Sequence, residues 1–106
     1  MRVWKWSPAE KAAARRAFDT ALSRELDSVV LEAKKRIATV AEASELWELE
    51  RWLSERRREI DETFDFRYSV LPSVFASLLR EGRLAEEDLH GLDPEKLEAI
   101  RLMANI

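Results

Sequence analysis

Trp47 and Arg51 stand four residues apart in the stretch Leu46 to Asp61, LWELERWLSERRREID, a spacing that lets a guanidinium lie against an indole on one helix face. Arg51 and Glu55 repeat that spacing and are placed to pair along the same ridge. The second tryptophan, Trp52, falls on another face with Glu48, Glu55 and Glu59, so the two indoles cannot share one narrow seam. At least one is expected to be partly exposed or at an interface, where tryptophan and arginine are over-represented. Five acids offset four arginines in this stretch, so phosphate would meet repulsion as well as attraction and a protein partner fits better. The plainer reading is that both indoles cap the local core while Arg56, Arg57 and Arg58 form a solvated face paired with neighbouring acids.

Little else could do chemistry. The single histidine, His90, sits beside Gly91 at a helix end, where an imidazole bonds open carbonyls more readily than it catalyses. The chain has no cysteine and two isolated glycines, which excludes disulfides, thiolate nucleophiles, cysteine-bound zinc and a glycine-rich phosphate loop. Carboxylates such as Glu86-Glu87-Asp88 read as solvated surface. No metal, cofactor or catalytic activity is expected. The formal charge of −3 gives no electrostatic reason for nonspecific binding to nucleic acid or an anionic membrane. No apolar run approaches the roughly 18 residues of a membrane span, and Met1 to Ser7, MRVWKWS, lacks a secretory core. A soluble, unprocessed, cytoplasmic protein is expected.

The elements that must position these residues are helices. With 106 residues, 46% of them apolar, 37% charged and only three prolines, the chain reads as one all-α unit. Ser7-Pro8-Ala9-Glu10 is a capping box with proline at the first helical position, and apolar residues then recur at spacings of three and four through Phe18, Leu22, Leu26 and Ile37. One helix over Pro8 to Ala38 follows. Thr39 and Ser44 are equally good caps for the next, expected from about Glu45 to Thr63, with Leu46, Leu49, Leu53 and Ile60 on a seam that Arg56 and Arg57 interrupt. Ser69 can cap a shorter helix through Val74 and Leu78, with Pro72 in its first turn and Gly82 ending it. A brief helical piece, Leu84 to Leu89, precedes a last helix that Asp93-Pro94 opens.

A 30-residue helix is about 45 Å long, whereas a compact globule of this size has a radius of gyration near 13 Å. The long helices therefore extend beyond the C-terminal cluster, and their leftover apolar surface is expected to meet a second copy. The predicted architecture is two long amphipathic helices forming an elongated antiparallel dimer stalk, residues 1–66, with a small helical head, residues 67–106. A monomeric hairpin closed by the head is the alternative.

The run LWELERWLSERRREIDETFDFRYSVL, with Phe75, Leu78, Glu81-Gly82, Leu84, Leu89, Gly91-Leu92 and Lys96-Leu97 after it, resembles the fluorescence recovery protein family of cyanobacterial photoprotection. The likeness covers about residues 44 to 101, with a weaker segment at Arg24 to Val30. It implies a non-enzymatic, all-helical homodimer that binds the light-activated orange carotenoid protein, speeds its return to the resting orange state and helps release it from the phycobilisome. It also implies site residues: the family's functional tryptophan corresponds to Trp47 and its important arginine to Arg57. Two positions depart. The acidic residue four positions after the tryptophan is Arg51 here, and a phenylalanine of the head facing the carotenoid protein is Ser73. An altered protein partner on the same dimeric scaffold is therefore the second expectation. DNA binding by the head, through REGRLAEEDLHGLDPEKLEAIR, is disfavoured because Asp93, Glu95 and Glu98 would face phosphates.

Overall fold

The computed structural model describes residues 4–106, so Met1 to Val3 of the MRVWKWS opening lie outside the described residues. Helix α1 spans Pro8–Ala38, as its capping box predicts: Ser7 Oγ accepts from the Glu10 amide at 3.1 Å and Glu10 Oε1 accepts from the Ser7 amide at 3.2 Å. Helix α2, Ala43–Thr63, runs back antiparallel beside it, joined by a short turn. Neither cap foreseen there is used. Thr39 instead closes α1, its hydroxyl donating to the Arg36 carbonyl at 2.9 Å, while α2 starts after Glu42 with no side-chain cap.

Helix α3, Leu71–Arg80, also starts differently from the prediction. Ser69 does not cap it; the chain turns through the Arg67 carbonyl, which accepts from the amides of both Val70 and Leu71. Pro72 lies in the first turn, where its missing N–H leaves no bond unmade. At the other end Arg83 N donates to Leu78 O at 2.8 Å and Gly82, at φ 77°, makes the left-handed turn that this double-bonded ending requires. A 3-10 turn, Glu86–Leu89, leads to α4, Pro94–Ala104. Among the described residues every regular element is helical.

The core joins the first half of α1 to the C-terminal cluster. Ala13, Ala14, Ala17, Phe18 and Ala21 pack against a layer that includes Leu71, Phe75, Leu78, Leu89 and Ile100. Alanine at four of these α1 positions lets the cluster approach the helix backbone closely. Gly91, at φ 101°, makes the tightest approach: a Cβ there would stand 2.8 Å from Ala13 Cβ. The linking tract Phe64 to Tyr68 seals the margin with rings: Phe18 meets Phe64 at 5.4 Å and Phe66 at 5.0 Å edge-on, and Tyr68 bridges Phe66 to Trp6.

One buried ion pair ties the two chain ends together. Glu10 and Lys96 are 5% and 4% exposed, and Lys96 Nζ donates to Glu10 Oε2 at 2.8 Å and to the Lys5 carbonyl at 2.7 Å. The ammonium also lies 4.8 Å from the Trp6 ring centre and 6.0 Å from that of Trp4. Glu10 Oε2 further accepts from the Asp93 amide at 3.1 Å, so a carboxylate of α1 supplies the cap of α4 that the sequence assigns to Asp93 itself. Burial opposes ionisation of Glu10, but bonds from Lys96, Asp93 and Ser7 outweigh it and hold the carboxyl below its ordinary 4.5.

The second half of α1 and all of α2 leave this core. The molecule measures 53 × 25 × 25 Å with a radius of gyration of 16.8 Å, above the roughly 13 Å of a compact chain of this size. No residue of α2 is fully buried. Lys96→Met removes one partner of the buried pair and is expected to destabilise the fold by about 3–5 kcal/mol in urea denaturation. Because the Glu10 carboxyl is held below its ordinary value, its contribution is complete above about pH 4.5 and is lost as pH falls through the lowered value. An acid unfolding limb unchanged by Glu10→Gln would contradict this assignment.

Candidate functional site

Helix α2 carries most of the residues that the sequence singles out, and its faces separate at about 100° per residue. Leu49, Trp52, Arg56, Ile60 and Thr63 form the half-buried face against α1. Their packing explains the interrupted seam. Arg56 reaches across to Glu25 of α1, which is also held by Arg83 from the turn after α3, and a second nitrogen of Arg56 donates to Glu59 at 2.5 Å. Glu25 thus joins α1, α2 and the C-terminal cluster. Burial works against the charge on Arg56, but Glu59 and Glu25 outweigh it and raise its pKa above the usual arginine range. The cleft around this triad has a volume of about 440 Å³, and the paired Glu25, Arg56, Glu59 and Arg83 share its wall with Glu81, Ile60, Thr63 and Phe64.

Trp52 is half-buried under the Arg36 guanidinium, 4.3 Å from its ring centre. Trp47 is 62% exposed. The expected stacking of Arg51 on Trp47 and its pairing with Glu55 are both absent; Arg51 is exposed and makes no bond among the described residues. Nor are the three consecutive arginines one solvated, paired face: Arg56 is in the triad, while Arg57 and Arg58 are exposed without an intramolecular partner.

The predicted seam divides as well. Leu49 and Ile60 are half-buried against α1, whereas Leu46 and Leu53 are exposed, turned about 70° further round the helix. On α1, Leu26, Val30 and Ile37 are exposed and turned by a similar angle in the same sense from the face that meets α2. In an antiparallel pair, equal turns in the same sense point to the same side. The hairpin therefore has one broad apolar flank, from Leu26 and Ile37 across to Leu46 and Leu53, with Arg57 at its edge.

Ser73 lies elsewhere. It is exposed on α3, its hydroxyl donating to the Val70 carbonyl at 2.8 Å, and it lines a shallow groove with Thr63 and Asp65 beyond the C-terminal end of α2. Trp47 is sixteen residues, or about 24 Å, from that end. One chain brings Trp47 and Arg51 together, puts Arg57 on the neighbouring apolar edge and leaves Ser73 distant. His90 behaves as foreseen, its Nδ1 2.9 Å from the Glu87 carbonyl. Asp88, read as surface, instead binds Arg24 at 2.8 Å and the Ala85 amide at 2.9 Å, and those bonds, led by that to Arg24, lower its pKa. Sequence reasoning missed Glu25 and Glu10; a glutamate inside an apolar periodicity is a signal, but not of its partner.

Among the described residues, no group of three or more histidine, aspartate or glutamate side chains could hold a metal, and no helix is long and apolar enough to cross a membrane. Comparison with known proteins is unambiguous. The family model described as photoprotection regulator fluorescence recovery protein matches residues 6–104. The fluorescence recovery protein of Synechocystis sp. is 37% identical over 101 residues, covering 95% of this chain and 93% of the relative. Solved structures of the fluorescence recovery proteins of Fremyella diplosiphon and Synechocystis each superpose with a TM-score of 0.90, at 35% and 36% identity, over 96% of this chain and 100% of theirs.

Glu25→Gln weakens both arms of the triad and is expected to cost about 1–3 kcal/mol. Hydrogen exchange checks it: amides from Arg56 to Thr63 lose protection before those of α3, and uniform loss throughout the chain would rule out a local clamp.

Proposed function

This chain belongs to the fluorescence recovery protein family of photoprotection regulators, and from that membership we propose that it is a non-enzymatic, dimeric regulator that binds the photoactivated orange carotenoid protein and accelerates its return to the resting orange state. The observation that carries the reading is the exposure of Trp47 and Arg57 on a helix with no fully buried residue. Large side chains held in water on a rigid helix are preorganised for a partner. Mixing the protein with photoactivated carotenoid protein tests it: faster red-to-orange recovery and a complex on size exclusion are expected, and neither appearing would reject the reading.

Self-association is supported by the apolar flank. Leu26, Val30, Ile37, Leu46 and Leu53 are all more than a third exposed in one chain, and a second copy laid antiparallel would remove them from water. The dimer stalk and two heads follow from that pairing, and the absence of cysteine suits a cytoplasmic protein. A second reading keeps the scaffold and changes the protein partner. It is favoured by Arg51 and Ser73, both exposed where the resemblance implies an acid and a phenylalanine, since a reversed charge repels a cation that paired with the acid.

Leu53→Glu places a carboxylate in the flank and is expected to weaken self-association by several kcal/mol if buried there. Light scattering gives the mass directly. A dimer mass unchanged by both Leu53→Glu and Leu46→Glu would exclude this flank.

A further inference from the structure

The arginines of this chain are almost all spoken for. Among the described residues every arginine outside α2 is bound to a carboxylate or a backbone carbonyl, including Arg16 to His90 O, Arg24 to Asp88 and Arg80 to Met103 O. Those without any intramolecular partner are Arg51, Arg57 and Arg58, all on α2. Arg57 borders the apolar flank. Arg51 and Arg58 fall within about 40° of Trp47 on the helix circumference, on a face roughly opposite α1 and about 130° from the Leu46–Leu53 stripe. A second copy seated on the flank alone would leave that face open.

We propose that this Trp47–Arg51–Arg58 face docks a protein surface presenting an apolar patch beside two carboxylates about 10 Å apart, the axial distance between residues seven apart on a helix. The inference rests on the reading of α2 as a partner-binding helix and names the chemistry of what it binds. Trp47 supplies the apolar anchor, and each guanidinium offers a planar fork matched to a carboxylate. The two arginines have no intramolecular bond to break, so pairing them with a partner costs desolvation and side-chain ordering alone. Glu55 and Glu62 border the face within about 60° of Arg58, which suits separate carboxylates and opposes a continuous polyanion such as nucleic acid.

The test uses the full chain with three probes: a designed helical peptide carrying one phenylalanine and two glutamates at matching spacing, its twin with lysines for the glutamates, and heparin. Calorimetry is paired with the indole resonance of Trp47. The acidic peptide is expected to bind and shift that resonance, Arg51→Glu/Arg58→Glu to weaken it at least tenfold, and the lysine twin to bind the double variant in its place. Lys34→Glu, at an exposed position of α1 outside this face, is expected to change peptide affinity less than threefold. Binding unaffected by the double substitution, no binding of the acidic peptide, or tighter binding of heparin than of the peptide would each overturn the proposal. The carotenoid reading fails separately. Wild type that binds the peptide but not the photoactivated carotenoid protein rejects that reading alone, and a carotenoid complex undiminished by Arg51→Glu/Arg58→Glu rejects this one alone.

Discussion

The fold hangs on a single carboxylate. Glu10 closes the first turn of α1 through the Ser7 amide, closes the first turn of α4 through the Asp93 amide, and neutralises Lys96 between two indoles. A buried charge with fewer partners would be strongly unfavourable; here the bonds that offset its desolvation come from both ends of the chain, Ser7 beside α1 and Asp93 and Lys96 at the start of α4. The first turn of a long helix and the last helix of the cluster are thereby locked to each other, and the alanine face of α1 is set against Gly91 and the leucines of the cluster.

From that anchor the molecule extends in one direction. Beyond Glu25 the α1 helix extends past the buried core with α2 alongside it. Two helices alone cannot bury a full apolar face, so one flank of the hairpin remains in water. Glu25 keeps the pair aligned by holding Arg56 and Arg83 together. The consequence for function is geometric: α2 is fixed firmly along one face, and its other faces present side chains rather than packing them. A regulator that must engage and leave a partner needs such a surface, and the family to which the chain belongs is one of regulators.

Much of this was legible in the residue order. The capping box at Ser7, proline at the starts of α1 and α4, and glycine at position 82 mark helix boundaries because each satisfies or avoids a backbone bond within a few residues of itself. The second and third helices were harder. Thr39 and Ser44 both had the chemistry of a cap, and the structure uses Thr39 to end α1 instead, since the chain needed a closing bond at that carbonyl first. Ser69 lost its predicted role because the aromatic tract Phe64 to Tyr68 is pinned against α1, and the turn is already made at Arg67 when the chain reaches the serine.

The sequence by itself determined the all-helical class, the extent of α1, the absence of recognisable catalytic chemistry and, through ordered motifs along α2 and the tract after it, the family. These are local properties, carried by spacing along the chain. Only the tertiary structure decided which of several similar charges were already bound. Arg56, Arg57 and Arg58 are indistinguishable as letters, yet one is held by a glutamate 31 residues away and two point into water. Electrostatic pairing depends on through-space distance, and that distance exists only once α1 has folded back against α2.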